Sequence, residues 1–294
     1  MLDDREGARE ISYAHSAQTR GGRAMIRFLE NASGRISLIK RAQGYEEEIA
    51  QGRDFWEVMA ERYALDLQII GGSMASVPKT GPLILIANHP YGILDGLMMG
   101  YMLSQARGDF RILAHKIFRK ADDLNRIILP VNFDETREGM KANLATRKQA
   151  LSYLSGGGAI GIFPGGTVST ALTPFDTPMD PGWRSFTARM VAKSNATVVP
   201  VYFEGANSRL FQLASHLHAT LRMGLLIKEF KRRVNTPCRV VIGEPIVQSE
   251  IDARAKDAPA LMDYLREATY ALSPKPLKNL NYGFEFEQHH RKRG

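Results

Sequence analysis

From residue 82 onward, short apolar runs alternate with longer amphipathic ones. PLILIA (82–87), FRILA (110–114), RIILPV (126–131), AIGIF (159–163), TVVPVYF (197–203) and CRVVIG (238–243) are dense in β-branched and aliphatic residues and predict strands. Between them, apolar positions recurring at three and four residues predict helices near 95–107, 115–124, 136–154, 182–194 and 207–231, with another at 250–271. Strands that are apolar throughout and separated by helices are buried on both faces. The pattern therefore predicts an α/β fold with a mostly parallel central sheet and helices on both sides. In such sheets a ligand site lies beyond the carboxyl ends of the strands.

The first 75 residues follow another rule. Met25, Leu29, Ala32, Ile36 and Ile39 fall at helical spacing, widened by Ile26 and Phe28 and flanked by Arg23, Arg27, Arg35, Lys40 and Arg41. A basic amphipathic helix of this kind lies either in a membrane interface or against its own domain, and Gly34 weakens it in both cases. A second stretch, 46–67, carries Phe55, Trp56, Met59 and Tyr63 and is expected to pack on the core. The chain thus divides into a helical, possible membrane-associating segment (1–75), a main domain (76–275) and a tail (276–294) expected to be mobile. The tail's His289 and His290 lack the further ligands a metal needs.

Charge and cysteine usage narrow the partners. Lys and Arg exceed Asp and Glu by 39 to 31, a formal charge of +8, which suits an anionic partner. The single cysteine, Cys238, removes disulfide frameworks and cysteine-built zinc sites. No apolar run approaches the ~20 residues of a membrane span, and the acidic start MLDDREGARE does not read as a secretory signal. The cluster KEFKRR (228–233) suits an acidic carrier protein, an anionic membrane or plain solvent. Nothing resembles a nucleic-acid recognition module, so no nucleic-acid partner is expected.

Two glycine-rich segments need separate readings. GGGAIG (156–161) has the spelling of a dinucleotide loop, but it follows a helix and precedes a strand, the reverse of what pyrophosphate binding requires. It reads as a helix stop. ANHPYGILDG is different. Asn88 and His89 follow directly on an apolar strand, and Asp95 lies six residues beyond His89 at the start of a helix. An imidazole there can take a proton from a substrate hydroxyl, while a carboxylate on its other nitrogen fixes the tautomer and stabilises the imidazolium. Asp95 as a simple helix cap is the competing reading.

The order of motifs extends this reading. FPGGTVS (163–169), TVVPVYFEG (197–205) and RVVIGEPI (239–246) follow ANHPYGILD on the same strand succession. Over residues 76–248 the chain resembles the glycerolipid acyltransferase superfamily, the lysophosphatidic acid acyltransferases and their relatives. Asn88, His89 and Asp95 match the first block. Phe163 to Ser169 match the third in part, a Phe-Pro-Glu-Gly followed by threonine and arginine. Pro200 sits in the strand of the fourth, and the second falls near ILPVNFDETR, with Arg137 as its arginine. The resemblance implies acyl transfer from a thioester of acyl carrier protein or coenzyme A to a lipid hydroxyl, without a resident cofactor or metal. His89 is then the base and Asp95 its orienter.

The resemblance also suggests substrate contacts. Asn88 would brace the turn, and Tyr91 would wall an acyl channel or simply pack. Gly165 and Gly166 would offer N–H groups to the oxyanion or merely turn the chain. Thr167 and Ser169 would donate hydrogen bonds or merely shape the turn, while Trp183 and Arg184 would open a helix along the acceptor groove. Glu204, at a strand end, reads as a solvated carboxylate or as a contact for a cationic head group.

The departures are specific. Five residues separate His89 from Asp95, where relatives with phosphate-bearing acceptors usually have four. The third-block glutamate is Gly165 and its arginine is Val168. A guanidinium fork matches phosphate, and valine cannot replace it. Either another cation (Arg184, Arg189, Lys116 or Arg137) compensates, or the acceptor has no glycerol phosphate. The spacing and FEGANSRLF (203–211) resemble the branch of bacterial aminolipid acyltransferases, including those finishing ornithine lipids and sulfur-containing aminolipids. A lyso-aminolipid O-acyltransferase, peripheral on the cytoplasmic face of the inner membrane, is the expectation. A lysophospholipid acyltransferase, a catalytically inactive lipid-surface binding protein and a thioester hydrolase are the alternatives.

Overall fold

The computed structural model describes residues 12–17, 19–115, 125–131 and 137–285; the predicted helix 115–124, apart from His115 at its start, lies outside them, as do Lys116, the His289–His290 pair and the Arg137 side chain. Among the described residues seven strands form one sheet in the order β1-β7-β6-β2-β5-β3-β4. The strands are β1 (Asp66–Gly71), β2 (Leu83–Ala87), β3 (Arg111–His115), β4 (Ile128–Val131), β5 (Ala159–Ile162), β6 (Thr197–Phe203) and β7 (Pro237–Ile242). Every pairing is parallel except β6 with β7. β2 lies between β6 and β5 and is buried along its whole length.

Alternation along β2 feeds two separate cores. Leu83, Leu85 and Ala87 face one side and Ile84 and Ile86 the other. The first core includes α4 (Phe55–Arg62), α5 (Ile93–Ala106) and α9 (Ala219–Arg233), through Trp56, Met98, Met99, Leu226 and Phe230. The second is covered by α6 (Arg137–Ser155), α7 (Ser185–Ser194) and α11 (Ala258–Tyr270), through Leu154, Met190, Leu261 and Leu265.

The N-terminal segment is joined to this body. One predicted helix becomes two, α1 (Arg20–Ser33) and α2 (Arg35–Ala42), because Gly34 adopts a left-handed φ of 119° between them. The predicted 46–67 helix likewise becomes α3 (Tyr45–Ala50), α4 and then β1. On α1, Ile26 and Glu30 are buried, and Leu29 packs against Gly224 of α9. Met25, Phe28 and Ile36 remain exposed. Because β1 pairs with β7, the sheet begins inside the segment that the sequence pattern sets apart as 1–75.

The 207–231 helix divides at His218 into α8 (Arg209–Leu217) and α9, and the last one divides into α10 (Gln248–Arg254) and α11. The tail is seated at least to Glu285. The Gly283 N–H donates to the Asp180 carbonyl at 2.9 Å and the Phe284 N–H to the Thr170 carbonyl at 3.0 Å, so these residues differ from the free tail expected from 276.

Candidate active site

Asn88 and His89 leave the carboxyl end of β2, between the ends of β5 and β6. The Asn88 amide clamps that junction. Its Nδ2 donates to the Phe203 carbonyl at 3.0 Å, and its Oδ1 accepts the Phe203 N–H at 2.7 Å. Asn88 thus ties β2 to the end of β6 rather than bracing its own turn. The chain then reverses through Pro90, Tyr91 and Gly92, the last at φ 93°, and enters α5.

Asp95 stands at the third position of α5, fully buried. Its Oδ2 accepts the N–H groups of Tyr91 at 2.7 Å and Gly92 at 2.9 Å. The same oxygen lies 3.0 Å from Nδ1 of His89. Nδ1 is buried and approaches Oδ2 without an aligned hydrogen bond, and Oδ1 of Asp95 has no partner. The two groups are within pairing distance at 3.0 Å, and contacts of this kind often tighten only when substrate is bound. The imidazole stacks on Phe163 with centroids 4.2 Å apart. Its side chain keeps 17% of its exposure, leaving Nε2 as the nitrogen able to face a ligand.

The loop after β5 forms the adjacent wall. The Ser169 N–H donates to the His89 carbonyl at 2.8 Å. Arg222, on α9, is buried beneath this loop. Its Nη1 donates to Thr170 Oγ1 and Ser215 Oγ, both at 2.7 Å. Its Nη2 donates to Thr167 Oγ1 at 3.1 Å and the Val168 carbonyl at 2.8 Å. The cation also lies 4.8 Å from the centre of the Phe211 ring.

Several expected substrate contacts are otherwise engaged. The Gly166 N–H closes a turn onto the Phe163 carbonyl at 3.0 Å, so it is not a free oxyanion donor. Gly165 is buried against Asp180. The Thr167 hydroxyl serves as an acceptor for Arg222. Trp183 is buried and its indole N–H donates to Asp180 Oδ2 at 2.9 Å. Arg184 precedes α7 rather than opening it and pairs with Glu285 at 2.8 Å.

Tyr91 packs rather than lining an open channel. Its hydroxyl donates to the Glu204 carbonyl at 2.9 Å, the Arg233 guanidinium covers its ring at 4.7 Å, and burial pushes its hydroxyl up to about 12. The Glu204 carboxylate pairs with Arg239 at 2.9 Å and Lys275 at 3.5 Å, so it already has cationic partners within the chain. Within KEFKRR, Glu229 is buried and accepts the Ser208 N–H at 2.9 Å, so that stretch is in part structural.

Two residues at this site carry no signal in the sequence. Arg222 comes from a helix 55 positions beyond Thr167. Asp180 comes from an irregular loop 91 positions beyond His89. Neither sits in a local pattern; only the departures at Gly165 and Val168 pointed to missing partners. Among the described residues, no group of three or more His, Cys, Asp or Glu is placed to hold a metal, and no helix is long and apolar enough to cross a membrane.

A histidine and a buried carboxylate thus stand together at the carboxyl end of β2, beside the Phe163–Ser169 loop. The family described as Acyltransferase matches residues 36–277, and the chain belongs to it; the protein is an enzyme of the acyltransferase type. It is similar to the lyso-glycine lipid O-acyltransferase of Phocaeicola vulgatus, with 24% identity over 228 residues, covering 75% of this chain and 78% of that protein. The protein of the same description from Bacteroides thetaiotaomicron is 25% identical over 229 residues, covering 75% and 80%. Among solved structures, the 1-acyl-sn-glycerophosphate (LPA) acyltransferase PlsC of Thermotoga maritima matches 90% of this chain and 87% of its own, at 14% identity and a TM-score of 0.47.

Proposed function

We propose that this acyltransferase moves a fatty acyl group from a thioester of acyl carrier protein or coenzyme A to the hydroxyl of a lyso-aminolipid. The observation that carries the chemistry is the placing of His89 Nδ1 at 3.0 Å from the buried Asp95 carboxylate. Nε2 of His89 takes the acceptor hydroxyl proton as the oxygen attacks the thioester carbonyl. Asp95 stabilises the imidazolium that results. Collapse of the tetrahedral intermediate breaks the C–S bond, and the proton on Nε2 passes to the departing thiolate. The protein forms no covalent intermediate in this sequence.

The acceptor assignment rests on charge. Val168 offers no cation, Arg222 is occupied beneath the loop, and Arg184 is paired with Glu285. Arg189 is exposed on α7. Among the described residues, which leave out Lys116 and the Arg137 side chain, a phosphate at the loop meets no ready guanidinium fork. Two curated relatives described as lyso-glycine lipid O-acyltransferases support the same reading. Ornithine and sulfur-containing lyso-aminolipids belong to the acceptor class tested.

A bilayer-resident acceptor calls for membrane attachment. Met25, Phe28 and Ile36 are exposed among the Arg23, Arg27 and Lys40 cations, which suits an anionic interface. We assign the protein to the cytoplasmic face of the inner membrane, as a peripheral protein. Phe28→Glu is expected to weaken sedimentation with anionic vesicles, and unchanged sedimentation removes α1 from the contact.

The deciding experiment offers labelled acyl-acyl-carrier-protein with lyso-glycine lipid, lyso-ornithine lipid or lysophosphatidic acid, beside His89→Ala. Diacylated aminolipid from the wild type alone is the expected result. Phosphatidic acid in its place moves the acceptor to the lysophospholipids. Free thiol without lipid product makes the protein a hydrolase, and no turnover of any donor makes it a lipid-surface binding protein. Equal product from His89→Ala overturns the base.

A further inference from the structure

Asp180 is a carboxylate with no exposure, and the mechanism above does not use it. Its Oδ1 accepts the main-chain N–H of His89 at 3.1 Å and the hydroxyl of Ser169. Its Oδ2 accepts the indole N–H of Trp183 at 2.9 Å. A backbone N–H and an indole N–H can only donate, so each carboxylate oxygen faces a partner that demands an acceptor. Burial pushes this carboxyl above the usual range, and the bonds from Ser169, Trp183 and His89 pull the other way.

The bonds close a ring. Asp180 holds the N–H of His89, Ser169 holds the carbonyl of His89, and the Ser169 hydroxyl returns to Asp180. Asp180 is itself anchored. Its N–H donates to the Tyr270 hydroxyl at 2.8 Å, while its carbonyl accepts Arg266 Nη2 at 3.1 Å and the Gly283 N–H at 2.9 Å. The histidine backbone and the loop beside it are thereby referred to α11 and the tail.

Gly165 explains why the carboxylate comes from here. A Cβ built on Gly165 meets Cβ of Asp180 at 3.4 Å and its Cγ at 3.5 Å. The backbone of Gly165 is not left-handed, so nothing in its φ demands glycine. The atoms nearest that Cβ are those of the Asp180 side chain and, at 3.5 Å, Cδ of Pro181. In the third block that FPGG resembles, this position is a glutamate, so the family's pattern has a carboxylate on the residue against which Asp180 packs.

We propose that Asp180 is a positioning residue of the acyltransferase site: it supplies from a distant loop the carboxylate that Gly165 lacks, and holds His89 and Ser169 in register for the acceptor hydroxyl. This rests on the reading of His89 as the base. The role is steric and directional, so it acts on kcat rather than on acceptor binding.

The test uses the full chain with acyl-acyl-carrier-protein and whichever lyso-lipid the wild type turns over. Asp180→Asn sets an amide N–H against one of the two obligate donors, and Asp180→Ala removes both acceptors. Each is expected to lower kcat at least 30-fold with KM for the acceptor within threefold and an unchanged circular dichroism spectrum. Gly165→Glu/Asp180→Ala is expected to recover at least tenfold in kcat over Asp180→Ala, which a merely structural loss would not show.

A folded Asp180→Ala with wild-type kcat overturns the proposal, as does a folded double variant no better than the single one. Should both Asp180 variants fail to fold, Ser169→Ala decides: it cuts the loop's side-chain tie to Asp180, and kcat is expected to fall at least threefold at constant KM. Wild-type kcat in that variant is the contrary result. His89→Ala runs alongside. If it stays active, the base assignment fails; if it is inactive while Asp180→Ala keeps wild-type kcat, only the present inference fails.

Discussion

Oδ2 of Asp95 lies 3.0 Å from Nδ1 of His89 while accepting the N–H groups of Tyr91 and Gly92. One oxygen thus caps the start of the helix and stands 3.0 Å from the imidazole nitrogen. Asp95→Asn retains an acceptor for the main-chain groups but loses the charge opposite the imidazolium. Its kcat is expected to fall by about 100-fold or more, with stability held within about 1 kcal/mol. Asp95→Ala is expected to lose both properties. Steady-state assays with urea unfolding of each variant separate the two duties, and wild-type kcat in Asp95→Asn would remove the pairing from the mechanism.

What the sequence disclosed tracks how local each signal is. β2 to β7 were legible because their apolar residues are contiguous, and His89 was legible because it directly follows one such run. β1 was missed: Asp66–Gly71 is an edge strand without a fully buried residue, so its alternation is blurred and it reads as the end of a helix. The GGG segment stops a helix, with α6 ending at Ser155 and β5 starting at Ala159. Asp180 and Arg222 carry no local pattern at all. An aspartate in a loop and an arginine in an ordinary amphipathic helix acquire their roles only when the chain brings them under Ser169 and Thr170.

Gly205 lets the end of β6 approach Tyr91. It has a φ of 115°, and a Cβ there would stand 1.9 Å from the Tyr91 hydroxyl oxygen. Gly205→Ala therefore meets both a left-handed backbone and a clash, and is expected to cost about 2 kcal/mol or more. Tyr91→Phe removes only the bond to the Glu204 carbonyl and is expected to cost about 1 kcal/mol. Thermal unfolding of the two variants checks the order; a milder Gly205→Ala would mean the loop relaxes freely.

Cys238 is expected to be chemically silent in the native protein. It is buried in β7, and desolvation pushes its thiol well above the ordinary range, with the Asp95 charge adding in the same direction. Since the thiolate is the reactive form, a raised value means less nucleophile at any working pH. Iodoacetamide at pH 8 should leave the thiol untouched without denaturant and modify it fully in urea, as read by intact mass. Rapid native labelling would show that β7 opens readily. Activity should accordingly withstand alkylation.

Val168 and Arg222 together decide what the loop can hold. The guanidinium of Arg222 lies directly beneath Val168, bonded to its carbonyl at 2.8 Å and to three hydroxyls. Arg222→Met leaves those buried acceptors without donors and is expected to cost about 3 kcal/mol, lowering kcat as the Ser169 segment loosens. Restoring the family's arginine by Val168→Arg is a different experiment, because the new cation arrives next to one already committed to the fold. Like-charge repulsion and the loss of a buried valine packed near Gly92 are expected to lower Tm, and lysophosphatidic acid should remain a poor acceptor. If Val168→Arg instead improves turnover of lysophosphatidic acid tenfold, the loop is built for phosphate after all, and the aminolipid assignment gives way while the roles of His89 and Asp95 stand.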